Sequence, residues 1–173
     1  NAVNLTDGLD GLAIGSSTLV AATLTALALV VGDESMSASL GLFHIEDAGE
    51  IAVWGAALCG ASLGFLWFNC HPAEIFMGDT GSLPLGGSIG LMAVLLRHEL
   101  FLLVLGGVLV AEALSVILQV ASYRLFGRRI FRIAPLHHHF QFLGWKETRI
   151  TARFWIAGLL CAAVSVGSLA LRG

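Results

Sequence analysis

Charge is what this chain has least of. Asp, Glu, Lys and Arg make up only 12 % of its 173 residues, roughly half the ~25 % of soluble domains. A soluble domain of this length could bury a core, but it would still need a charged surface. Cysteine is scarce as well. Cys59 and Cys161 lie inside apolar runs and Cys70 at the end of one, a spacing that suggests neither a disulfide framework nor a zinc site. There is no internal repeat, no low-complexity segment and nothing resembling a signal peptide. The net charge of −3 gives no basis for a nucleic-acid partner, and none is expected. The chain opens on Asn1 in the middle of a polar motif, so we expect it to be the carboxy-terminal part of a longer protein.

What is present is hydrophobic residue, 57 % of the chain, gathered into five apolar runs: 12–32, 51–68, 83–96, 100–122 and 154–171. About 20 helical residues cross a hydrocarbon core of about 30 Å. The first and fourth runs meet that length outright, and the second and fifth lie near its lower limit. The third is short, with Pro84 in its first turn and Gly86, Gly87 and Gly90 after it; small residues at that spacing suit a span packed closely against protein. The expected fold is an all-α polytopic transmembrane helical bundle of five spans, a single domain over 1–173, with the bilayer as its solvent.

Sides follow from parity. Five crossings place segments 1–11, 69–82 and 123–153 together, and 33–50 and 97–99 opposite. Seven of the nine Lys and Arg residues fall in the 123–153 loop, whereas the 33–50 loop has five acids and no basic residue. By the positive-inside rule the first side is the cytoplasm. Trp54, Trp67 and Trp155 near span ends fit interfacial anchoring.

Three constellations lie on that first side. The opening segment spaces Asn4, Asp7 and Asp10 three apart, which on a helix would put them on one face; Gly8 and Gly11 then let the backbone bend. An Asp-Gly pair is equally an ordinary helix end. The second loop runs Phe68-Asn69-Cys70-His71-Pro72-Ala73-Glu74-Ile75-Phe76-Met77-Gly78-Asp79-Thr80-Gly81-Ser82. Asp79 between glycines suits a carboxylate shown on a tight turn, a seat for Mg²⁺ bridging to phosphate, or a plain turn. Phe76 could stack on a base or bury itself at the interface. The third loop holds His137, His138 and His139 in succession. Consecutive residues cannot all face one way and imidazole suits Mg²⁺ poorly, so they fit either phosphate oxygens or anionic lipid headgroups. Mid-span Glu112 reads as a hydrogen bond between helices. Gln119, two turns further along the same face, could reach a substrate.

Taken together the three loops resemble the phospho-N-acetylmuramoyl-pentapeptide transferase family, within the polyprenyl-phosphate hexosamine-1-phosphate transferase superfamily. The resemblance rests on the strings 4–12, 68–83 and 135–140 through Gly144-Trp145, and it covers essentially the whole chain. Sister enzymes of other glycan pathways tend to interrupt the three histidines, so His137-His138-His139 favours the muramoyl branch. The resemblance implies transfer of phospho-N-acetylmuramoyl-pentapeptide from UDP to undecaprenyl phosphate with release of UMP, the first membrane step of peptidoglycan synthesis, in a bacterial inner membrane. It implies a uridine pocket of Gly8, Leu9, Asp10, Asn69 and Phe76, with Asn4 also at the substrate. It further implies Mg²⁺ on Asp79, Asp7 in a catalytic acidic cluster, and the three histidines at the substrate with His138 catalytic. It admits a homodimer. Pro84 and Gln141 depart from the family, which more often has alanine and commonly an acid there. The family's upstream paired aspartates and lysine are not in this chain, so the fragment is not expected to turn over alone. The rival readings are a sister transferase acting on another nucleotide-sugar and, in a different class, a transporter. Transporters gather polar groups near the midplane, and here they gather at one end.

Overall fold

The computed structural model describes residues 1–170, and every regular element among them is a helix. The chain starts with a short α1 (Ala2–Thr6) and turns through Asp7–Gly11 into α2 (Leu12–Gly32). Gly11 sits at φ +71°, a left-handed conformation that a glycine adopts without steric cost. Then come α3 (Glu34–Ser39), α4 (Ala48–Asn69), α5 (Gly78–Leu95), α6 (Glu99–Leu105), α7 (Gly107–Phe126), α8 (Leu136–Phe142) and α9 (Glu147–Ala170).

The middle of the bundle is α2, which packs on α4, α5 and α9. Leu12, Leu24 and Val31 on it are fully buried. Its threonines do not break the apolar run. Thr18, Thr23 and Thr25 each donate to the carbonyl four residues back, at 2.7, 2.9 and 2.7 Å, so these three hydroxyls are paired in an apolar setting. Small residues set the close approaches. A Cβ at Gly55 of α4 would run into Thr25 of α2, and one at Gly15 of α2 would meet the indole of Trp155 on α9.

Four helices (α2, α4, α7 and α9) are long and apolar enough to cross a membrane. That is one fewer than the five spans expected. The helix at the third run, α5, has 18 residues, but its first turn is Gly78-Asp79-Thr80-Gly81 followed by Ser82, which shortens its apolar part. The fourth run also differs from expectation, because it is two helices that meet at Gly106-Gly107. A Cβ at Gly107 would lie 2.8 Å from the sulfur of Cys161 on α9, so the pair of glycines gives α9 room at the break. The outer faces of α4, α7 and α9 expose large apolar side chains, among them Leu63, Ile117 and Leu160. A surface of that kind suits lipid far better than water.

Two of the short elements, α1 and α8, serve one end of the bundle. α1 packs against α5 and α7, and α8 packs against α7 and α9. The first turn of α5 is thereby brought against α1, and His137 against the Asp7–Gly11 turn.

Candidate active site

Helix α1 stops at Thr6, and Asp7 already has a non-helical φ of −80° and ψ of 56°. Asn4, Asp7 and Asp10 therefore do not share one helical face. The i,i+3 pattern is cut by Gly8, and each residue finds a different partner. Asn4 Nδ2 donates to Asp79 Oδ1 at 2.7 Å and to the Ser82 hydroxyl at 3.0 Å. Ser82 is fully buried and donates to the Gly78 carbonyl at 2.9 Å, so it fixes the first turn of α5 from beneath. Asp7 reaches the same turn and accepts from the Gly78 amide. Its carboxyl is pushed above the ordinary range, first by burial and then by the Asp79 charge, with the Gly78 bond opposing both. Two neighbouring acids offer all-oxygen donors, which suit a hard divalent ion such as Mg²⁺.

Asp10 faces the second loop. Its Oδ2 pairs with His71 Nδ1 at 3.0 Å and accepts from the Ala73 amide at 3.1 Å. Asn69 is buried and ties two loops together: its Oδ1 accepts from the Gly11 amide at 3.2 Å, and its Nδ2 donates to the Ile75 carbonyl at 2.8 Å. From α9, Thr151 donates to the Asp10 carbonyl and Trp155 Nε1 to the Gly11 carbonyl, both at 3.2 Å. Trp155 thus serves as an internal strut, because Gly15 leaves room for its ring and Gly11 offers it an acceptor.

Between these loops lies a cleft of about 110 Å³ lined by Asp7, Gly8, Leu9, Asp10, Asn69 and Phe76. The five residues expected at a uridine pocket all border it. Phe76 is 77 % exposed, so within the protein its ring is open to a partner. Leu9 borders the cleft but is itself nearly buried, in a small core with Leu12 and Ile150.

The three histidines separate. His137 is 1 % exposed, its amide donates to Glu112 Oε1 at 3.1 Å, and its Nδ1 lies 3.1 Å from Glu112 Oε2. That second approach is within ion-pair range but off hydrogen-bond alignment, and neither ring nitrogen has a hydrogen-bond partner. A Cβ at Gly8 would collide with His137 Nε2. His137 therefore sits beneath the turn and away from solvent, unlike the expectation that all three meet substrate. Glu112 bonds to the histidine helix α8, which specifies the interhelical bond expected of it. His139 Nδ1 accepts from the Arg132 amide at 3.2 Å. His138 is half-buried and pairs with Gln141. Gln119 uses its amide on the neighbouring loop: Oε1 accepts from the Ile130 and Phe131 amides at 3.0 and 2.9 Å, and Nε2 donates to the Phe131 carbonyl at 2.8 Å. It clamps that loop instead of reaching into the cleft.

Sequence reasoning passed over His71 and Glu147. With Asp10 they place three potential ligand atoms within 4.8 Å of one another. His71 lay inside the second string, next to Pro72, and that position was its only signal.

The chain is 55 % identical over 172 residues to a protein of Koribacter versatilis (strain Ellin345), covering 99 % of this chain and 45 % of that one. It is 54 % identical over 173 residues to one of Brachyspira hyodysenteriae (strain ATCC 49526 / WA1), covering 99 % and 45 %. It is 53 % identical over 172 residues to one of Endomicrobium trichonymphae, covering 99 % and 48 %. Each of these relatives is named phospho-N-acetylmuramoyl-pentapeptide-transferase. The chain spans about half the length of the curated relatives it matches. Residues 1–97, which carry the Asp7–Gly11 turn, Asn69, Phe76 and Asp79, match the family described as Glycosyl transferase family 4, and the chain belongs to that family.

Proposed function

We propose that this chain is the site-bearing half of an enzyme that transfers phospho-N-acetylmuramoyl-pentapeptide from UDP to undecaprenyl phosphate. The observation that carries the reading is the cleft bordered by Gly8, Leu9, Asp10, Asn69 and the exposed ring of Phe76, with the Asp7–Asp79 pair beside it. The name shared by the relatives names the same transferred group.

In this reading uracil stacks on Phe76, and Asp10 and Asn69 border the nucleoside. An oxygen of the lipid phosphate attacks the β-phosphorus of the UDP-sugar. The bond from that phosphorus to the bridging oxygen breaks, and its electron pair leaves on UMP. Asp79, with Asp7 next to it, would hold Mg²⁺, which when bound neutralises charge on the diphosphate oxygens. Asn4 holds the Asp79 carboxylate in place from α1. His138 meets the phosphates as a hydrogen-bond donor or proton carrier. A lipid nucleophile and a soluble nucleotide have to meet at a membrane boundary, so the site end faces the cytoplasm of a bacterial inner membrane.

The test is release of UMP by the full-length parent protein, supplied with labelled UDP-sugars and undecaprenyl phosphate in detergent. UDP-N-acetylmuramoyl-pentapeptide should be the donor used. Exclusive use of another UDP-sugar would make it a sister transferase, and no UMP from any donor would sink the transferase reading. Orientation has its own check. Single cysteines at the exposed positions Ser35 and Thr148 should react with an impermeant thiol reagent from opposite sides of inner-membrane vesicles, and same-side labelling would refute it.

A further inference from the structure

The three successive histidines are chemically alike in sequence, yet only one is held by a chain of side-chain hydrogen bonds. Gln141 stands one turn after His138 on α8, on the same face. Its Oε1 lies 2.6 Å from His138 Nδ1, and its Nε2 donates to Glu147 Oε1, the first residue of α9, at 2.8 Å. We infer that Gln141 is a positioning residue that, held by Glu147, fixes the proton of His138 on Nδ1 and leaves Nε2 as the working atom. This inference rests on the reading of His138 as the histidine that meets substrate.

The assignment follows from donor and acceptor rules alone. An ionised carboxylate only accepts, so the amide nitrogen of Gln141 must be the end that faces Glu147. The amide oxygen is then the end that faces the imidazole. A carbonyl oxygen also only accepts, so Nδ1 must be the donor whether the ring is neutral or cationic. The proton that can come and go is therefore the one on Nε2. His139 is set the opposite way: its Nδ1 accepts from the Arg132 amide, which puts the neutral ring's proton on Nε2. Buried His137 is spent beneath Gly8. Of the two half-buried rings, His138 and His139, His138 is thus the one whose Nδ1 carries the proton and whose Nε2 is left bare. The orienting group is a neutral amide, which places no negative charge directly on the ring.

The experiment uses the full-length parent protein with ¹⁵N-labelled histidine. The His138 signals are assigned by their loss in His138→Asn, and tautomers are read from the ring-nitrogen shifts at a pH where the ring is neutral. Wild type should show Nδ1 protonated and Nε2 bare at this residue. Gln141→Met, which keeps side-chain length but removes both bonds, should mix the two tautomers. Glu147→Gln leaves α8 untouched and also frees the Gln141 amide to turn, so it should mix them too. In UMP release, Gln141→Met should lower kcat roughly ten- to a hundredfold, as loss of orientation typically does, with KM for the nucleotide donor little changed. Gln141→Glu, which restores an acceptor for Nδ1, should recover most of kcat. Nε2 protonated in the wild type, or a wild-type spectrum in both Gln141→Met and Glu147→Gln, overturns the inference. The spectra need no turnover, so a wild type that fails to release UMP counts against the transferase reading and leaves the tautomer assignment standing.

Discussion

The two ends of the bundle are built on opposite plans. At the end away from the cleft, side-chain hydrogen bonds among the described residues stay local. Asp33 caps α3 by accepting from the Met36 amide at 2.8 Å, His98 reaches back two residues to Leu96, and the longest step is His44 to Val31, thirteen residues apart. At the cleft end the bonds join distant parts of the chain: Asn4 to Asp79, Asn69 to Gly11, His71 to Asp10 and Trp155 to Gly11. Each far loop needs only to close its own helix end. The near loops hold one another, and the site belongs to no single loop. A local cap makes a turn stable, whereas cross-linked turns fix side chains from three segments against one ligand.

That contrast can be broken most sharply with two acids, one from each end. Asp79 and Asp33 are both exposed carboxylates next to a helix start. In the full-length protein Asp79→Asn should cut Mg²⁺-dependent UMP release by roughly a thousandfold, the scale of losing a key transition-state contact, while insertion and folding are retained. Asp33→Asn should leave turnover within about twofold, as surface changes away from such features do. Equal effects at the two positions would erase the distinction, and wild-type turnover in Asp79→Asn would end its assignment as metal ligand. The next largest effect contrasts two exposed rings. Phe76→Ala should weaken uridine-nucleotide binding about five- to a hundredfold, since base stacking is worth roughly 1–3 kcal/mol. Phe76→Tyr should keep most of that affinity. Phe43→Ala, at the far end and 84 % exposed, should leave it unchanged. Titration calorimetry with UMP reads all three.

The smallest effect is one of pH. The Asp7 carboxyl is raised by burial and by Asp79, so it takes a proton at a higher pH than an ordinary aspartate. Protons should therefore compete with Mg²⁺, and affinity for the ion should fall as pH drops toward the raised value. The sign for folding is the reverse. Without metal the fold disfavours the ionised form, so this residue's contribution to stability improves as pH falls through its folded pKa. Asp7→Asn should flatten both trends; a Mg²⁺ affinity that rises on acidification would contradict the placement.

Much of this was legible in the sequence, because the chemistry is carried by side-chain type within short strings. The cleft residues Gly8 to Asp10, Asn69 and Phe76 were identified from residue identity and resemblance alone, and the long apolar runs gave the spanning helices. What stayed hidden was partnership across distance. The acid Glu112 could be read as a bonded group, but not that its partner was His137, 25 residues on. Gln119 looked free because the backbone amides it clamps carry no sequence signal. The shared face of Asn4, Asp7 and Asp10 failed because the helix ends at Thr6, ahead of Gly8, and the three side chains then meet different partners. At the Gly106-Gly107 break the close approach of Cys161 comes from another helix, which the local sequence does not show.

The contact beneath Gly8 has an evolutionary consequence. No side chain can be added at position 8 while an imidazole fills position 137, and shrinking position 137 would open a cavity beneath the turn, against Glu112 Oε2. A buried cavity of that kind costs roughly 2–5 kcal/mol. Drift at positions 8, 112 and 137 therefore has to be concerted: a lineage that changes one must change the others, or it loses the turn on which the cleft is built.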